Sequence, residues 1–321
     1  VSESRRIVLA GSVSFSRVTL EALVRHGANV VGVLGLDRAA SKDVSDYARL
    51  DDVADLDYRD FTKINSPDVV EQIRAWQPDV LFVVGLSQLV GDEIMNIPRL
   101  GSIGFHPTRL PEGRGRAPVA WLTFDEAAGA ASFFVLEKEA DAGAIFVQEP
   151  FGVDRGAYAS EVIESVRAAI GRALDRWLPR FLGGEWNPIP QDEAQASFWG
   201  RRAAEDGLID WRSPAAEIAR LVRTASHPYP GAYTYWRGRK LVIWRASEAT
   251  LPFRGVVGRI LHVASDASFL VQTGSGTLRV EEWDAAGAKI AAGQKLGIVA
   301  EDAIPLLERR IAALEEELKK R

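Results

Sequence analysis

The chain alternates short, continuous apolar runs with stretches of helical periodicity. Ile7–Ala10 is such a run, and Gly11 with the serines that follow breaks it. Val18, Leu20, Leu23 and Val24 then recur on one helical face until Gly27, and Val30–Leu34 forms a second run. Strands without polar alternation are buried on both faces, as in a parallel sheet, so this segment predicts strand, helix, strand with a right-handed crossover. The theme returns further on. Ser66-Pro67 starts a helix, Gln77-Pro78 stops it, and Val80–Val84 is a core strand. A short strand is expected in "LGSIGFHPT", two strands around a loop in "AASFFVLEKEADAGAIFVQEPF", and a long amphipathic helix from Ser160 to Phe181.

The pattern then changes. "LGGEWNPIPQDEAQASFWGRRAAEDGLIDW" is rich in Gly, Pro, Asn and Asp with little periodicity, which marks a connection. After a helix over Pro214–Thr224 the chain becomes strand-like. A hairpin turns at Arg237-Gly238, and three more strands turn at Ser265-Asp266 and Gly274-Ser275-Gly276, the pattern of a small β-barrel. The final segment carries Ile304, Leu307, Ile311, Leu314 and Leu318 in an a/d seam, which predicts an amphipathic helix and a homodimer. The expected organisation is an α/β domain over 1–190, a connection over 191–212, a barrel over 213–300 and a terminal helix over 301–321.

Composition adds limits. The 321 residues suit two domains, and 47% hydrophobic with 26% charged residues is a globular balance. A net charge of −5 disfavours a nucleic-acid partner, since phosphate binding calls for a basic face. There are no cysteines, which excludes disulfides, thiol nucleophiles and Cys zinc sites and fits a cytoplasmic location. The first apolar run is too short to span a membrane, and no metal site is expected.

Of the four histidines, His26 precedes a helix-ending glycine, His227 precedes Pro228 in a turn, and His262 lies in a strand of the barrel. His106 ends a core strand, where open α/β sheets bind ligands, and is the one placed for catalysis. Asp141, in "EADAGAIF", sits in a tight loop between two apolar segments. A carboxylate beside the imidazole would orient it and raise its pKa. The residues alone leave a structural histidine, a turn-capping aspartate and solvated arginines as the alternatives.

"FHPTRLPEGRGRAPVAW" followed by "DAGAIF" resembles the hallmark of the folate-dependent formyltransferases, and the likeness continues through "EDGLIDW" and "SHPYPGAYTYWRGRKLVIW". The resemblance implies a Rossmann-like N-terminal domain with a smaller OB-like C-terminal barrel. It also implies transfer of a formyl group from the cosubstrate N10-formyltetrahydrofolate to an amine, without a metal. His106 would stabilise the oxyanion and move protons to the leaving folate nitrogen, and Asp141 would orient His106 and favour its charged form. The family's asparagine two residues before the histidine is replaced here by Gly104, and Gln88, Ser102 or Thr108 are the candidate substitute donors. Folate contacts are expected from Leu86, Ser87, Gln88, Leu89, Val90, Ala140 and Gly143. Substrate contacts are expected from Ser12, Arg114, Gly115, Arg116, Arg201 and Arg202.

Methionyl-tRNA formyltransferases, which resemble this chain, carry a basic insertion after the second strand. Here the segment "LDRAASKDVSDYARLDDVADLDYRD" is dominated by acids and would repel phosphate. "SFWGRRAAEDGLIDW" and "HPYPGAY" are more similar to nucleotide-sugar formyltransferases, so a nucleotide-linked amino sugar is the expected acceptor. A tRNA-directed enzyme and a folate- or sugar-binding homologue with little activity are the alternatives.

Overall fold

The computed structural model describes residues 4–42, 44–250, 252–298 and 300–319, with the side chains of 300–303 and 306 left aside. The chain divides into two compact units. The first runs to Arg155 and resumes over Glu161–Arg202; the second comprises Gly156–Ser160 and the residues from Ala203 onward.

The first unit begins with β1 (Arg6–Gly11), α1 (Ser14–Arg25), β2 (Asn29–Leu36), β3 (Tyr58–Phe61), α2 (Pro67–Trp76), β4 (Val80–Val84), α3 (Asp92–Met95) and β5 (Gly101–His106). It continues with β6 (Arg114–Gly115), α4 (Pro118–Asp125), β7 (Gly129–Val135), β8 (Ile145–Phe151), α5 (Ala159–Leu182) and β9 (Phe198–Trp199). Seven strands form one sheet in the order β3-β2-β1-β4-β5-β7-β8. The pairs from β3 to β5 are parallel, and β7 and β8 are antiparallel additions. The strand order reverses between β1 and β4, so ligands are expected at the carboxyl ends of β1, β4 and β5.

Burial on both faces explains why β1 and β4 show no polar alternation. Val8, Ala10, Leu81 and Val83 pack with Val69, Ile73 and Trp76 of α2. Phe82 points the other way, into an aromatic group with Phe133, Trp177 and Phe181. Its T-shaped contact with Phe181 has ring centroids 5.9 Å apart, which fixes α5 against the sheet.

The second unit contains α6 (Ala215–Ala225), β10 (Ala232–Trp236), β11 (Arg239–Ala249), β12 (Ile260–Val263), β13 (Phe269–Gln272), β14 (Thr277–Asp284) and α7 (Ala300–Lys319). Its strands form an antiparallel sheet in the order β10-β11-β14-β13-β12. Trp211, Ile218, Val222, Leu241, Ile243, Phe269 and Val280 make its core. Arg237 and Gly238 both have positive φ, the geometry of a two-residue hairpin turn, as their sequence predicts. The Rossmann-like domain, the small barrel-like sheet and the terminal helix agree with the expectation.

Two stretches differ from it. The acidic segment contains an edge strand, β3, whose Tyr58–Phe61 pairs with β2. Its alternation is only four residues long, too short to stand out. The stretch read as a connection divides: residues 191–202 belong to the first unit, and β9 pairs in parallel with β6 inside the "GRGRAP" loop. Among the described residues, no helix is long and apolar enough to cross a membrane.

Candidate active site

His106 is the last residue of β5 and is buried, at 5% exposure. Its Nε2 lies 2.9 Å from the carbonyl oxygen of Gly113. A carbonyl can only accept, so Nε2 carries the proton and a neutral ring keeps its lone pair on Nδ1. Nδ1 in turn faces Oδ2 of Asp141 at 3.6 Å. That distance is too long for a hydrogen bond but close enough for a direct charge interaction.

Asp141 occupies the turn between β7 and β8 with φ of 58°, a left-handed conformation that aspartate tolerates. Its Oδ2 accepts the N–H of Gly115 at 2.9 Å, which ties this turn to the "GRGRAP" loop. Gly143 allows the turn to close: a Cβ there would lie 1.8 Å from the Val135 carbonyl oxygen. The sheet thus brings the two predicted catalytic side chains face to face.

Two expectations about this pair are corrected. The orienting hydrogen bond on His106 comes from the Gly113 carbonyl rather than from Asp141. The imidazole pKa is also lowered rather than raised, because desolvation outweighs the opposing pull of Asp141 and of the Gly113 bond. The resting ring is neutral and can take a proton on Nδ1, where Asp141 would stabilise the resulting charge.

Gly104 lies on the same face of β5 as His106, two residues earlier. Its cross-strand partner is Phe134, and a Cβ at Gly104 would lie 2.8 Å from Phe134 Cζ and 2.9 Å from Leu136 Cδ1. Apolar side chains therefore fill the space next to Gly104. The three candidate substitute donors are engaged elsewhere: Ser102 Oγ donates to the Met95 carbonyl, Thr108 Oγ1 to the Glu112 carbonyl, and Gln88 Nε2 to the Thr62 carbonyl.

The expected folate-contact loop follows β4 and is pinned at both ends. Gln88 Oε1 accepts the Ile64 N–H, while Asn65 accepts the Gly91 N–H and donates to the Leu89 carbonyl. Leu86 and Val90 pack on the core, whereas Ser87, Leu89 and Ala140 are exposed. At 83% exposure, Leu89 leaves an apolar side chain open beside the carboxyl edge of the sheet. Ser12 is buried after β1, and its Oγ donates to the Gly85 carbonyl.

The arginines separate into three situations. Arg114 is fully buried, paired with Glu193 and hydrogen-bonded to Gln191, so it serves the loop's own structure and does not present its guanidinium to a phosphate. Arg202 lies over the rings of Trp121 and Phe124, at 5.0 and 5.3 Å. Arg116 and Arg201 are exposed. Gly115 contributes its N–H to Asp141.

Gln191 carried no distinguishing signal in a Pro-rich stretch, yet it joins the two halves of the site. Its Nε2 donates to the carbonyls of Asp141 and Gly143, and its Oε1 accepts from Arg114. Ser197 adds to the same clamp, accepting the Gly113 N–H on its Oγ and the Arg114 N–H on its carbonyl.

Residues 5–178 match the family model described as formyl transferase, and residues 202–297 match the formyl transferase C-terminal domain. The chain belongs to the formyltransferase family. Methionyl-tRNA formyltransferase from Chloroflexus aurantiacus is 34% identical over 294 residues, 90% of this chain and 94% of that protein. HypX from Aquifex aeolicus, solved with tetrahydrofolic acid, superposes with a TM-score of 0.65 at 17% identity over 88% of this chain. This formyltransferase spans only 44% of the HypX chain. An N-formyltransferase from Helicobacter canadensis, solved with folinic acid and dTDP-3-aminofucose, gives 0.59 at 12% identity, covering 87% of this chain and 99% of that one. At these identities the two structures share the fold. Family membership supports transferase activity, moving a formyl group from N10-formyltetrahydrofolate to an amine.

Proposed function

We propose that His106 and Asp141 run this formyl transfer, and the observation that carries it is the proton-accepting Nδ1 of a buried neutral imidazole facing a fixed carboxylate. The acceptor amine attacks the formyl carbon and must lose a proton, while the leaving N10 of the folate must gain one. Nδ1 takes the proton from the nitrogen that forms the new bond and returns it to the nitrogen whose bond breaks. Asp141 offsets the imidazolium charge in between, and the Gly115 N–H keeps the carboxylate in place. Gly104 offers no side-chain donor for the oxyanion, and a missing donor of that kind costs about 10²–10³ in rate. The proton relay therefore carries the transfer without a side-chain donor at this position, where Phe134 and Leu136 fill the space a side chain would take.

For the acceptor, the likeness to methionyl-tRNA formyltransferase extends over nearly the whole of both chains and favours methionyl-tRNA. One observation favours the second reading, a nucleotide-linked amino sugar: the segment after β2 is acidic, with Asp51, Asp55, Asp57 and Asp60 beside few cations, and disfavours a polyphosphate chain. The test supplies the full chain with N10-formyltetrahydrofolate and either methionyl-tRNA or a panel of nucleotide amino sugars, and follows release of tetrahydrofolate. The expected result is release with one class of acceptor and its loss in His106→Gln. Binding of the folate without transfer to any amine would refute the proposal and support a binding homologue.

A further inference from the structure

The terminal helix α7 starts at Ala300, beyond the residue at which the family match ends. Its Ile304, Leu307, Ile311, Leu314 and Leu318 are 53%, 60%, 55%, 42% and 71% exposed. These residues repeat at alternating three- and four-residue steps, the spacing of a coiled-coil seam, and they lie open to water in a protein whose other large aliphatics are mostly buried. A helix of this length gains little from propensity alone and relies on packing of its apolar face.

We infer that α7 pairs in parallel with α7 of a second copy of this chain, forming a two-stranded coiled coil that joins two enzymes. The choice of residues sets the number of strands. With Ile304 at an a position, Ile311 and Leu318 are also a positions, and Leu307 and Leu314 are d positions. Ile at two of the three a positions, with Leu at both d positions, favours two parallel strands over three or four. Flanking charges set the direction. In a parallel pair, Arg310 at g meets the partner's Glu315 at e, and the symmetry makes this contact twice without an opposing like-charge contact. An antiparallel pair that keeps the seam together places Glu308 against the partner's Glu315 twice, which cancels the attraction of Arg310 for the partner's Glu317. The seam is little more than two heptads long, so the association is concentration-dependent.

The absence of cysteines makes the test clean, since one introduced thiol is unique. Sedimentation equilibrium of the full chain should show a reversible monomer–dimer equilibrium. Arg310→Glu should weaken it about tenfold or more, and adding Glu315→Arg should restore it, with thermal melting of the two units unchanged throughout. Leu318→Cys should form an intermolecular disulfide on mild oxidation. In the antiparallel register the two sulfurs would be about 16 Å apart, too far to join. A monomer at all concentrations would overturn the inference. So would a trimer, or a dimer that is insensitive to Arg310→Glu and fails to crosslink through position 318.

Discussion

Restoring the family's asparagine in Gly104→Asn sets a catalytic gain against a packing cost, and the geometry decides between them. A well-placed oxyanion donor is worth about 10²–10³ in rate. The new Cβ would lie 2.8 Å from Phe134 Cζ and 2.9 Å from Leu136 Cδ1, where ordinary contacts begin at 3.4 Å. Leu136 can yield by rotating. Phe134 is 1% exposed and held by its cross-strand position opposite Gly104, so its ring must be displaced within a packed layer. Overpacking of this kind costs about 1–3 kcal/mol. At about 2–4 °C per kcal/mol for a domain of this size, melting should fall by about 2–12 °C. Phe134 also shares a strand with Ser132, which pairs with His106, so its displacement disturbs the strand facing the catalytic ring. We therefore expect kcat to fall together with the melting temperature. Gly104→Ala isolates the crowding, because it adds the same Cβ without the amide, and it should lose most of the same stability. Phe134→Leu in the Gly104→Asn background removes the clashing ring atoms and should recover part of the loss. Thermal melts and initial rates of tetrahydrofolate release read both effects. A Gly104→Asn enzyme with unchanged melting and a kcat raised tenfold or more would refute the reasoning and show that the glycine merely weakens the site.

Three other outcomes follow from the same geometry. Burial holds His106 below its ordinary pKa of about 6.5, so the unfolded chain binds a proton that the native chain does not. Stability should fall as pH drops below about 6.5, and His106→Gln should flatten that part of a stability–pH profile measured by denaturant titration. Asp141 opposes the lowering, so Asp141→Asn should push the imidazole pKa down further and move the acid limb of kcat to lower pH; an upward shift would contradict the pairing. Gln191→Ala leaves the Asp141 and Gly143 carbonyls and part of the Arg114 guanidinium without their partner, and should cost about 1–3 kcal/mol. Its kcat should fall more than its KM rises, because the loops are misplaced rather than the ligands lost.

The sequence by itself determined the central strands of the sheet, though not its edge strand β3. Runs such as Ile7–Ala10 and Val80–Val84 have no polar alternation because both of their faces are covered, and that property is local enough to read directly. The helix stops, the hairpin at Arg237-Gly238 and the end-of-strand placement of His106 are likewise written in a few adjacent residues. Asp141 could be named from its loop and from the family resemblance, but not its distance or its hydrogen-bond partner. Only the tertiary structure decided that the Gly113 carbonyl orients the imidazole, that burial outweighs Asp141 in setting its protonation, and that Arg114 turns inward to Glu193 and Gln191. It also decided that the space beside Gly104 belongs to Phe134 and Leu136. The Gly113 contact spans only seven residues, but Gly113 is itself held by Ser197, 84 residues away. In the other cases, desolvation, cavity shape and the choice among hydrogen-bond partners depend on atoms from strands and loops 30–80 residues apart, and no pattern within one segment encodes which of them will meet.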